Sequence, residues 1–339
     1  MKKTIYLSLA AALFMASCSN DSDDNSVSNG PVAAQVTAGV NNPATRANGN
    51  QWESDEIGVM AVSVSGTPAG ITSTMTSLYK NVHYATYANT ADAATFTATN
   101  GSASGTAYGI FFQDATETVT FAAYGPYQTS DANALPGTDG VISANTSAQA
   151  DRNAQKAFDF IFASGATASK ANPQIQFSGD KAFSHVMTRL IINVQTSTTD
   201  GFTATEVTSG TYNLSGLTHD GTFDVNPAST TFGTAQATVS GSSTAGSTPW
   251  SLNTAAIMTS EASSVSFDAI LFPQTVSSLD FKAVIDGQSY KCQISPALEA
   301  GKSYTYTITA KKQGLTVDGC KVNDWTTGST ENGGAADAK

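Results

Sequence analysis

The strongest constraint on this chain is a period of two. Residues 304–309 read Tyr-Thr-Tyr-Thr-Ile-Thr, so Tyr304, Tyr306 and Ile308 face one way and three threonines the other. A strand is the element that puts alternate side chains on opposite faces. The same rhythm returns at residues 279–285 and 290–294, separated by Asp286-Gly287. Asp-Gly between two alternating apolar runs predicts a hairpin. Further strand-like runs fall at residues 57–64, 95–99, 119–124, 183–194, 213–223, 265–272 and 320–325. Residues 154–162 fit helix or strand, and almost nothing else shows a helical period. Many short strands set apart by turn residues predict an all-β chain built of β-sandwiches.

Length and composition refine this. The chain has 339 residues, enough for two domains of ordinary size. Charged residues make up 13%, against roughly 25% in typical soluble domains. The polar surface is instead Thr, Ser, Gly and Asn, which suits an extracellular β protein. The formal net charge of −11 argues against nucleic acid or anionic lipid as a partner. A linker-like stretch at residues 169–173 sets the expected boundary between domains at 47–172 and 173–339. Residues 128–150 and 226–249 read as long loops, and Asp220-Gly221 as a turn.

The N-terminus carries its own message. Lys2 and Lys3 precede an apolar run over residues 5–16, the form of a secretory signal covering residues 1–17. Met15-Ala16-Ser17-Cys18 looks like a lipobox, in which Cys18 takes a diacylglycerol. Membrane association is expected only through that lipid, at the outer membrane. Asp21, Asp23 and Asp24 then lie in a tether too polar to pack. Val32, Ala34, Val36, Ala38 and Val40 alternate, as in a half-buried strand. Arg46 follows, the single basic residue between Lys3 and Lys80. Residues 18–46 thus read as a tether and a strand that a protease cut after Arg46, before Ala47, would remove.

Catalytic constellations are missing from the sequence. His83, His185 and His219 lie far apart with no ligand at metal-binding spacing, and His185 reads as a hydrogen-bonded core residue. Neither a nucleophile elbow nor a phosphate-cradling glycine loop occurs. No enzyme activity, cofactor or metal is expected. Asp55-Glu56 reads as solvated surface. Tyr124 and Tyr127, around Gly125-Pro126, are candidates to stack on a sugar ring, and Trp250 is the candidate exposed aromatic. Tyr304, Tyr306, Trp52 and Trp325 read as packing residues. Cys292 is either a buried small apolar residue or one half of a Cys292–Cys320 disulfide.

A series of short motifs carries a resemblance. They are Cys18, Thr45-Arg46-Ala47, Asp55-Glu56-Ile57-Gly58-Val59 and Ala123-Tyr124-Gly125-Pro126-Tyr127. Phe183-Ser184-His185, Arg189-Leu190, Leu271-Phe272-Pro273-Gln274, residues 298–304 and Trp325 continue it. In this order they resemble the fimbrillin family, subunits of type V pili. The resemblance implies two tandem transthyretin-like Greek-key sandwiches. It also implies lipoprotein export, cutting by an Arg-specific protease after Arg46, and polymerisation with other fimbrillin subunits by donor-strand exchange. The candidate donor lies in residues 315–325, with Leu315, Val317, Cys320, Val322 and Trp325. The alternative reading is a monomeric or tip-located surface lipoprotein that binds a glycan or another host-surface ligand.

Overall fold

A computed structural model describes residues 30–39, 52, 55–86, 93–129, 132–238 and 248–325, and strands dominate them. The helices are single turns: Met75–Leu78, Arg152–Lys156, Ala204–Thr208 and Leu252–Ala255. Two are held by side-chain caps. Asp151 accepts from the Ala154 N–H, and Thr203 with Glu206 forms a reciprocal capping box. The expectation of an all-β chain holds. None of the described helices is long and apolar enough to cross a membrane.

The first half is one eight-stranded sheet that curls round a core. Its order is Gln174–Phe177, Gln35–Ala38, Ala94–Ala98, Val82–Ala85, Glu56–Ser65, Thr118–Gly125, Ile161–Ser169 and Ser184–His185. Ile57, Val59, Val119, Phe121, Ile161, Ile175 and Phe177 fill one cluster inside it. The strand Gln174–Phe177 and the short strand Ser184–His185 belong to this first sheet. The boundary expected at residue 173 therefore falls inside the sheet, and the chain leaves it only after His185.

In the second half, a five-stranded sheet runs Ile257–Glu261, Ser264–Leu271, Thr188–Thr196, Lys302–Lys311 and Gly314–Asp324. It faces a four-stranded sheet, Trp250–Ser251, Thr211–Ser215, Leu279–Ile285 and Gln288–Ile294. Leu190, Ile192, Phe267, Phe281 and Ile308 fill the space between. The hairpin at Asp286-Gly287 forms as expected, with both residues at positive φ, 50° and 72°.

A third cluster joins the halves. Met60, Tyr124 and Phe160 pack there with Phe223, Ile270 and Phe272. Above it Val141–Asn145 pairs with Asp220–Asp224, which pairs with Thr234–Ala237. Two expected loops thus contribute strands to a sheet shared by both halves. Asp220-Gly221 is not a turn. Gly221 lies mid-strand under the Phe272 ring, where an added Cβ would sit 2.3 Å from a ring carbon. A glycine in a strand marks this kind of close approach.

An ion cluster also spans the halves. Asp268 accepts two bonds from Arg189, at 2.9 and 2.6 Å, and one from Arg152 at 2.8 Å. Burial pushes its pKa up, but the two guanidinium groups outweigh that and hold the carboxyl below its ordinary range. Removing one member of a buried ion cluster strands the others. Asp268→Ala is expected to cost about 3 kcal/mol in urea unfolding. A loss below about 1 kcal/mol would mean the arginines are satisfied by solvent.

Candidate functional site

The strand Gln35–Ala38 sits within a sheet, paired on both sides. It runs parallel to Gln174–Phe177, with Val36 opposite Ile175. It runs antiparallel to Ala94–Ala98, with Val36 opposite Phe96. Upstream, Val32 pairs with Phe112 and Ala33 with Phe111. The ends are tied by the Ala34 N–H to Ile110 O, the Gln35 N–H to Pro173 O and the Gly39 N–H to Phe177 O. Val36 and Ala38 are buried, while Val32 and Ala34 are half-buried. The alternation read from the sequence therefore faces the core. Trp52 closes the same region, edge-on to Phe96 at 5.0 Å and to Phe183 at 5.5 Å. Val40, Arg46, Ala47 and Cys18 lie outside the described residues.

Taking this strand away would open a seam between Ala94–Ala98 and Gln174–Phe177. Their facing N–H and C=O groups would lose their partners, and the cluster round Phe96, Ile175 and Phe177 would meet water.

In the second half, Gly314–Asp324 forms the open edge of its sheet. It is 11 residues long and most of it is exposed. Leu315, Val317, Cys320 and Val322 lie opposite Ala310, Ile308, Tyr306 and Tyr304. All four partners are buried, so the four residues share the inward face. They do so only because the register shifts between Thr307 and Ile308, which leaves Asp318 as an extra residue. Leu315 and Val317 pack on the core, but Val322 is 53% exposed. A long edge strand with a partly bare apolar stripe is a template for pairing with another chain.

This strand ends in an anchor. Trp325 is buried in the cluster between the halves, and its N–H donates to Gly301 O at 2.7 Å. Its indole lies flat on the His185 ring, centroids 3.9 Å apart and planes 4° from parallel. His185 Nδ1 is 2.6 Å from Asp159 Oδ1, with both side chains almost wholly buried. His185 is thus the hydrogen-bonded core residue expected. Its partner Asp159 carries no sequence signal, being 26 residues away in an ambiguous segment.

Other predicted residues sort as follows. Cys292 and Cys320 are both free thiols, so no Cys292–Cys320 bridge is formed. Cys292 lies against the core of one sheet and burial pushes its pKa up to about 11, while Cys320 sits on the exposed edge of the other. Tyr124 is fully buried and bonded to Asn81 at 2.8 Å, so it cannot stack on a ligand. Tyr127 is half-buried and stacks on His83. Trp250 is buried too, because its indole N–H reaches Ser147 O in the first half. Asp55, read as surface, is buried. Among the described residues no group of carboxylates, histidines and cysteines could hold a metal.

His219 packs against Trp250, and burial pushes its pKa down to about 4 against the opposing pull of Asp220. The unfolded chain, with an imidazole near 6.5, takes up the proton first. Stability is therefore full above about pH 6.5 and declines as the pH falls towards 4. After a discount for partial exposure the loss is on the order of 2 kcal/mol. Urea unfolding at pH 7.5 and 4.5 checks this, with His219→Gln flattening the difference. An equal pH response in that variant would remove His219 as the cause.

The fimbrillin-like family model matches residues 45–325. A candidate fimbrium subunit of Bacteroides uniformis, Fim1C, is 27% identical over 98% of this chain and 97% of its own length. A crystal structure of a candidate cell adhesion protein from Bacteroides ovatus covers 87% of this chain and 98% of its own, at 24% identity and TM-score 0.67. A second candidate cell adhesion protein, from Bacteroides uniformis, covers 89% and 100% at 23% identity and TM-score 0.62. At these identities the two structures show a shared fold.

Proposed function

The chain belongs to the fimbrillin-like family, and from that premise we propose a structural fimbrial subunit that polymerises by strand exchange. It is exported as a lipoprotein through Cys18 and reaches the cell surface. An Arg-specific protease cuts after Arg46 and frees the strand that contains Val32, Ala34, Val36 and Ala38. A segment from a neighbouring subunit then enters the seam between Ala94–Ala98 and Gln174–Phe177. Backbone pairing supplies affinity, and small alternating side chains supply fit.

One observation carries this reading: a strand paired on both sides and buried at Val36 and Ala38 precedes the lone Arg46. A strand so deeply held would ordinarily be permanent. Its place at the N-terminal end, ahead of a single basic residue, suits one that is held until it is cut. The donor proposed is the open edge Gly314–Asp324, which offers an exposed backbone edge and an apolar stripe of Leu315, Val317, Cys320 and Val322 interrupted by the extra residue Asp318.

Arg46→Ala in the native host is expected to abolish the polymer ladder and leave the protein at its full lipidated length. Normal trimming and polymerisation of that variant would remove Arg46 as the processing site.

A further inference from the structure

The strand-exchange surfaces leave one feature of the first half unexplained. Beside the turn that follows the strand Ala94–Ala98 lies an open cavity of about 520 Å³. This is within the range of small-ligand sites, roughly 300–1,000 Å³. Its lining includes Glu56, His83, the turn at Asn100, Tyr108 and Tyr127.

The walls are rigid. His83 and Tyr127 stack face to face, centroids 3.8 Å apart and planes 4° from parallel. His83 Nε2 lies 3.4 Å from Glu56 Oε2. The Tyr127 N–H donates to Glu56 O at 3.0 Å. Beneath, Tyr124 Oη donates to Asn81 Oδ1, and the Asn81 amide donates to Gln128 O at 3.0 Å. On the opposite side, Thr99 Oγ1 donates to Ala103 O, and Asn100 Oδ1 accepts from the Ser102 and Ala103 N–H groups. The turn is thus braced from inside.

What faces the cavity is chemically mixed. Tyr108 is 41% exposed, a large ring left bare on the surface. Glu56 is 55% exposed at its side chain, so its carboxylate is accessible. A flat ring beside a carboxylate and hydroxyl groups suits a ligand with an apolar C–H face and a rim of hydroxyls. Burial holds the His83 pKa below its ordinary value against the pull of Glu56. The imidazole is therefore neutral near pH 7, and no cation is among the described residues that line the cavity. The chain's net charge of −11 adds to that exclusion.

We propose that this cavity binds a neutral hexopyranose unit, its C–H face on Tyr108 and its hydroxyls donating to Glu56. Uronic and sialic acids are rejected by the Glu56 carboxylate. The site stands independently of cleavage and polymerisation.

The test is saturation-transfer NMR and calorimetry on the full chain. The probes are the methyl glycosides of glucose, galactose, mannose and N-acetylglucosamine, with methyl sialoside and methyl glucuronide as acidic counterparts. At least one neutral glycoside is expected to bind saturably, and neither acidic one. Tyr108→Ala and Glu56→Gln should each weaken binding tenfold or more. Both positions are exposed, so unchanged melting curves will show that the fold is kept. Three results overturn the proposal: no saturable binding by any neutral glycoside, equal binding of the acidic ones, or affinity unchanged in both variants.

Discussion

A chain that begins at Ala47 is expected to lose most of its stability as an isolated protein and to regain it when a peptide covering residues 30–40 is added. Burying Val36 contributes roughly 2 kcal/mol, and Ala38 somewhat less. The backbone bonds to Gln174–Phe177, Ala94–Ala98, Ile110 and Pro173 each contribute about 1 kcal/mol net. Even with generous discounting, the total exceeds about 5 kcal/mol. Whole domains are stable by roughly 5–15 kcal/mol, so the trimmed chain should be unfolded or oligomeric unless something fills the seam. Urea unfolding with and without the peptide measures this directly. A trimmed monomer with the midpoint of the full chain would make the strand a dispensable flap and remove the driving force for exchange.

Trp325→Ala carries the second large effect. Truncating a buried tryptophan costs roughly 3–5 kcal/mol. Here the loss is concentrated at the end of Gly314–Asp324, because Trp325 ties that edge strand to the cluster between the halves. It also uncovers the His185 face and opens the buried His185–Asp159 pair to water. Amide exchange should rise across residues 314–324 more than in the hairpin at Asp286-Gly287. Global unfolding would raise both regions together. Unchanged exchange across residues 314–324 would show that Trp325 does not hold the strand.

Much of this fold is written locally. Alternation at residues 279–285, 290–294 and 304–309 became strands because each face meets a different solvent. Asp286-Gly287 became a hairpin because both residues take positive φ. The strand Gln35–Ala38 was legible for the same reason: Val36 and Ala38 fall on one face. Its neighbours were less so. Gln174–Phe177 also alternates, through Ile175 and Phe177, but it follows a linker-like stretch and reads as the start of a new domain.

Other features depend on partners distant in sequence. Gly221 reads as a turn until the Phe272 ring is placed over it. Trp250 follows a proline in a polar segment, yet its N–H finds Ser147 O 103 residues away. The His185–Asp159–Trp325 stack joins three segments that share no local pattern. The pairing of the N-terminal strand could be anticipated from its periodicity. The anchor of the edge strand could not, since burial at Trp325 is decided by the meeting of the two halves.

The measurement that bears most directly on the central claim is the N-terminus and intact mass of the protein taken from the cell surface of its native host. Strand exchange predicts a chain starting at Ala47 that runs as a heat-labile ladder on a gel. A chain starting at acylated Cys18, with Arg46 uncut and running as a monomer, would contradict it.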